Sequence, residues 1–168
     1  MKKVVNEVCR INMTVLHDDG FLSPYSPTDT PIISSDVAEF LENGANTYLP
    51  KQKIKLNIHG DCIDDDEKTV YDKAIRNYFD LKLQGMAISL RRNLIVSVIF
   101  TVIGIVGLAA MLLLDHFFNS AIWVEVVDIF AWVFVWEAVD QFFIERRKLN
   151  IEKRKYQAFS EAEIQYNN

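Results

Sequence analysis

Four carboxylic acids stand in a segment whose other residues suit a lipid bilayer. The stretch WVEVVDIFAWVFVWEAVDQFF, residues 123–143, contains Glu125, Asp128, Glu137 and Asp140. An acid near the centre of a membrane-spanning helix costs about 2.5 to 3.5 kcal/mol, whereas an apolar residue returns only about 0.3 to 0.6 kcal/mol. Because these contributions nearly cancel, we expect the segment to insert only with help from another helix, from other copies or from water.

The direction of these acids on a helix points to a function. At about 100° per residue, with Asp128 at zero, Glu125 lies near 60° and Asp140 near 120°. Glu137 lies near 180°, and two tryptophans fall between the acids. Intramembrane acids normally face a bundle interior or a water-filled cavity. The predicted polar intramembrane face comprises Glu125, Asp128, Trp132, Trp136, Glu137 and Asp140.

Three other interpretations of the acids remain open. The segment could be an interfacial or cytoplasmic amphipathic helix, although its polar face lacks the Lys and Arg that bind anionic lipids. The acids could be protonated, since burial raises the pKa of a carboxyl group, and donate hydrogen bonds between helices. They could also pair with a basic partner protein in the membrane.

Another apolar segment lies before the acid-bearing segment in the sequence. Arg91 and Arg92 are followed by LIVSVIFTVIGIVGLAAMLLL, residues 94–114, which carries no charge. About 20 such residues span the hydrocarbon core of a bilayer. Small and hydroxyl residues allow close helix contact. We therefore expect residues 94–114 to pack on the acid-bearing segment through Ser97, Thr101, Gly104 and Gly107.

The distribution of basic residues predicts the topology. Arg and Lys flank the outer ends of both segments, at residues 91–92 and 146–148, and are absent from the connecting loop 115–120. The positive-inside rule then gives a multi-pass protein of the cell membrane with both termini in the cytoplasm. Only two valines follow Met1-Lys2-Lys3 before polar residues resume, so we expect no signal peptide.

The remaining sequence predicts an α+β membrane protein with a small cytoplasmic α/β module of order β-α-β-α in residues 1–90. We expect strands at residues 3–16 and 53–58 and helices at residues 36–44 and 64–83, on the basis of alternation, capping residues and helical spacing. Gly85 is the expected break before the membrane hairpin of residues 91–144, whose spans are residues 94–114 and 122–143.

Residues 145–168 should form a charged helical cytoplasmic tail, because they contain no Pro or Gly. Leu149 and Tyr156 are seven residues apart and could form a short seam with other copies. The alternative is a solvated basic end whose long side chains extend into water.

Metal and catalytic motifs are weak. Cys9, His17, His59 and Cys62 could in principle supply four zinc ligands, but their spacing fits no standard site. The acidic run at residues 64–67 lacks the alternation and the Gly of a calcium loop. No phosphate loop, nucleophile elbow or HExxH motif is present. We therefore expect no enzyme activity, no metal and no cofactor.

Net charge and membrane character limit the function classes. The formal charge of -5 argues against a nucleic-acid binder. We expect a homo-oligomeric channel for a monovalent or divalent cation, in which Glu125, Asp128 and Trp132 face the path and Glu137 lies between copies. The cytoplasmic module would gate or assemble this channel. The alternative is a non-conducting membrane-anchored adaptor or sensor, or a subunit of a larger membrane complex.

Overall fold

The computed structural model describes residues 8–46, 52–118 and 121–167. The predictions about a signal peptide, the start of the first strand and loop residues 119–120 fall outside these ranges. The elements in chain order are β1 (Val8–Thr14), α1 (Ser35–Gly44), β2 (Lys53–His59), α2 (Asp65–Phe118), α3 (Ala121–Val139), a π-helical segment (Asp140–Glu145), α4 (Arg146–Ser160) and β3 (Glu163–Asn167).

The chain forms two compact units. One, which we call the module, combines residues up to Gly85 with residues from Ile151 onward. The other, the helical hairpin, is Met86–Asn150. The predicted α+β class and the order β-α-β-α in the first part of the chain are confirmed.

The module is built on a three-stranded parallel sheet in the order β1-β2-β3. Side chains alternate across a strand, and in the central strand Ile54, Leu56 and Ile58 are almost completely buried. Phe79 of α2 and Phe159 of α4 are also fully buried, and their rings stack with centroids 4.2 Å apart. The core therefore lies on one face of the sheet.

The tail from Ile151 onward is part of this module. α4 is helical as expected, but Tyr156 is only 8% exposed and Phe159 is fully buried. Tyr156 is thus not available to the predicted seam between copies, whereas the basic residues Arg147, Lys148 and Lys153 are exposed, as in the alternative of a solvated basic end. Beyond α4, β3 pairs with β2, with Glu163 opposite Lys55. Lys55 of β2 and Glu163 of β3 are 108 positions apart in the sequence. A local sequence pattern therefore does not predict this pairing.

α2 begins where the sequence predicts and passes through the predicted break. The backbone N–H of Asp64 donates to Glu67 Oε2 at 2.8 Å, as in a capping box. The helix then continues without interruption through Gly85. A glycine inside a helix costs only about 1 kcal/mol relative to alanine, which strong helix formers on both sides offset.

One helix in the described part of the chain, α2, is long and apolar enough to cross a membrane by length and composition. Such a helix is compatible with membrane association. α3 has apolar residues in similar density, but its 19 residues include Glu125, Asp128 and Glu137.

Candidate functional site

The two helices of the hairpin approach each other closely at two glycines. A Cβ atom placed on Gly104 would lie 2.9 Å from Val135 Cγ2, and one on Gly107 would lie 3.0 Å from Ala131 Cβ. Ala131 itself is 1% exposed. Real Cβ atoms do not fit at such distances without movement, so the contact depends on small residues.

The other two residues of the small-residue set behave differently. Ser97 is 3% exposed and its hydroxyl donates to the Ala138 carbonyl at 3.3 Å, across the hairpin. The Thr101 hydroxyl donates to the Ser97 carbonyl of its own helix at 2.8 Å. Thr101 therefore makes no side-chain hydrogen bond to α3 within the described residues.

The predicted polar face of α3 points away from this contact. Glu125, Trp132, Trp136 and Asp140 are exposed, with the two indoles 54% and 66% accessible. Trp132, Trp136, Glu137 and Asp140 line one shallow groove on the surface of α3. Asp128 and Glu137 are half-buried at the two borders of the polar face. The structure thus brings four of the six residues into one groove, while Glu125 and Asp128 lie outside it.

A hydrogen-bonded chain of amides connects Glu137 to α2, and the sequence reasoning missed it. Gln141 Nε2 donates to Glu137 Oε1 at 3.1 Å, and Asn93 Nδ2 donates to Gln141 Oε1 at 2.7 Å. Asn93 is 7% exposed, although it directly precedes the apolar run of α2. The signal that could have found it was the pair of neutral amides, Asn93 and Gln141, each beside apolar residues.

The two hydrogen bonds give this chain a direction. Gln141 presents its NH₂ to a carboxyl oxygen of Glu137 and its own amide oxygen to the NH₂ of Asn93. Asn93 Oδ1 is then left buried without a partner among the described residues. An unsatisfied buried acceptor costs about 1 to 3 kcal/mol.

The π-helical segment lies at the same place in the hairpin. It starts at Asp140 and includes Gln141, and the Arg146 N–H donates to the Gln141 carbonyl. A π-helical turn inserts an extra residue into the helix and often occurs at functional sites. Here it contains Gln141, which bonds Asn93.

The considered zinc ligands do not converge. Cys9 is buried in β1, where burial raises the pKa of its thiol. Cys62 is exposed and its thiol contacts the Val15 carbonyl at 3.5 Å. Within residues 8–46, 52–118 and 121–167, no group of three His, Cys, Asp or Glu side chains is placed to hold a metal ion.

The second face of the module sheet is polar and accessible. Lys55 Nζ donates to Glu163 Oε1 at 3.1 Å, and Asn57 Nδ2 donates to Asn12 Oδ1 at 2.7 Å. Arg10 and His59 on the same face are exposed. All-parallel sheets normally have both faces covered, so this face is unusual.

Comparison with known proteins gives no relative: no protein-family model, curated protein or solved structure matches the chain.

Proposed function

We propose that the chain is a multi-pass, homo-oligomeric membrane protein whose α3 helices surround a path for cations, with both termini in the cytoplasm. The observation that carries the proposal is the exposed acidic and aromatic face of α3, which the described part of its own chain leaves uncovered.

The first supporting step is that α3 accompanies α2. α2 has the length and composition of a membrane span. α3 contacts it through Gly104 and Gly107 at distances that exclude larger side chains. If α2 crosses the bilayer, the packed α3 lies at the same depth and crosses as well.

The second step concerns what the polar face of α3 contacts. Exposed to lipid, Asp128 and Glu137 near the bilayer centre would each cost about 2.5 to 3.5 kcal/mol. Other copies of α3, or water between them, would remove this cost. Because one hairpin cannot enclose a path, several copies are required. A ring of carboxylates around water attracts cations.

Charge removal tests conduction. Asp128→Asn and Glu125→Gln keep the size of the side chain and remove its charge. We expect assembled protein in a planar bilayer to conduct, and each variant to lose cation conductance or selectivity, with the larger loss at Asp128. Glu163→Gln, which removes the same charge from the module, is the matched control and should conduct normally.

The absence of any ion flux from correctly assembled protein, at all voltages, pH values and ligands tried, would refute the channel. Oligomeric state in mild detergent, from mass measurement and a density map of the axis, decides whether α3 faces the centre. A purely monomeric protein would leave the acids without the partners that the proposal requires.

The topology has its own test. A cysteine at His116, near the end of α2, should react with an impermeant thiol reagent from outside the cell. Cys62, which is exposed in the module, should react only after lysis. Labelling of Cys62 in intact cells would reverse the proposed orientation.

A second candidate function rests on the polar face of the module sheet, because an uncovered face of a parallel sheet is a surface on which a partner could pack. In this alternative the chain is a membrane-anchored adaptor or sensor, and the acids of α3 are neutral hydrogen-bond donors between helices. Asp128→Asn should then change little, and Asp128→Leu should loosen helix packing by about 1 to 2 kcal/mol per lost bond.

A further inference from the structure

A polar cavity of about 420 Å³ lies within the hairpin, beside the middle of α2, where its apolar run begins. α2 contributes Ser89, Arg92 and Asn93 to its wall, and the π-helical segment contributes Gln141 and Glu145. The cavity is separate from the groove on α3 that carries Trp132 and Asp140.

The residue that carries the buried acceptor described above lines this cavity. Asn93 is more than nine-tenths buried, lines the cavity, and has an Oδ1 atom without a partner in the described part of the chain. Its amide orientation is fixed by the bonds from Asn93 to Gln141 and from Gln141 to Glu137. The cavity therefore offers an oxygen that can only be satisfied by a hydrogen-bond donor.

The charged residues of the wall have both signs. Glu145 supplies a carboxylate, one oxygen of which bonds Lys148 Nζ at 3.2 Å. A carboxylate can accept several hydrogen bonds, so Glu145 retains capacity for a ligand. Arg92 supplies a guanidinium, whose planar donors match a phosphate. A ligand that suits this wall carries a cationic donor and an anionic acceptor.

We propose that the cavity binds the headgroup of a phospholipid with a primary amine, such as phosphatidylethanolamine. The ammonium contacts Asn93 Oδ1 and Glu145, and the phosphate contacts Arg92 and Ser89. The proposal rests on the membrane placement of α2 and is independent of ion conduction.

The wall discriminates between headgroups. A quaternary ammonium has no N–H to donate and is usually bound by aromatic rings, whereas the remaining described wall residues are the aliphatic Val96 and Leu149. A purely anionic headgroup leaves Asn93 Oδ1 without a donor and faces the Glu145 carboxylate. A metal cation alone would lie beside the Arg92 guanidinium, which repels it.

The position along α2 agrees with a lipid headgroup. Asn93 directly precedes Leu94, where the uncharged run to Leu114 begins. Headgroups lie at the ends of such runs, and basic pockets between spans at this level bind them. A soluble molecule with the same amine and phosphate, phosphoethanolamine, shares the chemistry without the acyl chains.

The test uses full-length protein in mild detergent and native mass spectrometry with matched-chain phosphatidylethanolamine, phosphatidylcholine and phosphatidylglycerol. We expect phosphatidylethanolamine to be retained at least several-fold more than the other two. Asn93→Ala and Glu145→Gln should each remove this preference, and Arg92→Ala should weaken retention of all three lipids. Glu125→Gln, on the exposed face of α3, should retain the preference.

Three results would overturn the proposal. The first is equal retention of the three lipids, and the second is an unchanged preference in folded Glu145→Gln. The third is a cavity occupied by ions from sodium chloride alone, with no preference among lipid headgroups. Free phosphoethanolamine that binds as tightly as the lipid would show that the natural ligand is soluble. Lipid binding is measured in detergent and requires no ion flux. These outcomes can therefore be interpreted even if the protein does not conduct ions.

Discussion

Helices α2 and α3 share one tight contact, yet the surfaces that they turn away from it differ. The outward face of α2 is aliphatic, with Ile99 and Val102 about half exposed. The outward face of α3 combines tryptophans with carboxylates, and Trp132 and Asp140 are exposed on it. Apolar content alone would class both as spans. Under the proposed function, this difference in outward chemistry has α2 facing lipid and α3 facing protein or water.

The difference also extends to how polar groups are satisfied. In the module, Glu163 has Lys55 as an ionic partner. Within the described residues, no Lys or Arg forms an ion pair with Glu125 or Asp128 of α3 or with Asp140 of the π-helical segment. If α3 lies in a bilayer, as proposed, these acids need other copies or water as partners, since a charge isolated from water is strongly unfavourable.

The largest effect is expected from a new acid on the lipid side. Val102 and Val133 are matched positions, 53% and 59% exposed, on the outward faces of α2 and α3. Val102→Glu should cost about 2.5 to 3.5 kcal/mol of insertion free energy. Val133→Glu should cost clearly less, because it joins a face that already carries acids.

A glycosylation-based insertion assay measures both variants. Equal penalties would break the comparison, because α3 would then face lipid just as α2 does. A larger penalty at Val133 would also contradict it and would place lipid against α3.

An intermediate effect is expected at the contact that the helices share. Gly104→Leu must displace Val135, and overpacking of this kind costs about 1 to 3 kcal/mol. We expect a lower melting temperature in detergent and loss of the native oligomer. Ile105→Leu, one residue along on an exposed position, keeps the volume and should behave like the wild type. Normal stability of Gly104→Leu would mean that the hairpin tolerates separation at this point.

The sequence predicts the elements of this molecule that have a local periodic pattern of side chains. Helical spacing indicated the small-residue face that contains Gly104, and alternation indicated β2. It could not predict β3, because parallel pairing of Glu163 with Lys55 joins residues 108 positions apart. It also misplaced a break at Gly85, since the single glycine is outweighed by its helical neighbours.

The candidate site was predictable to a similar extent. Charge and periodicity identified the acids of α3 and the half of the helix that they occupy. They gave no indication that Glu137 is bonded through Gln141 to Asn93, because neither charge nor apolar periodicity marks a neutral amide. The π-helical segment was equally inaccessible, since it depends on a register change rather than on a residue type.

The smallest effect is expected from the paired acid of the module. The hydrogen bond and charge of Lys55 lower the pKa of Glu163 below its ordinary value of 4.5. A carboxyl whose pKa is lower in the folded state stabilises that state above the unfolded pKa, and the contribution is lost as pH falls through the folded value. Acid unfolding of the wild type should therefore be slightly steeper below about pH 4.5 than that of Glu163→Gln.

Glu39→Gln, which replaces an exposed acid on α1, should retain the wild-type slope. Far-ultraviolet circular dichroism between pH 7 and pH 3 measures the three proteins. Identical slopes in all three would show that the pair with Lys55 is fully screened by solvent, and that pairing within the chain does not distinguish Glu163 from the acids of α3.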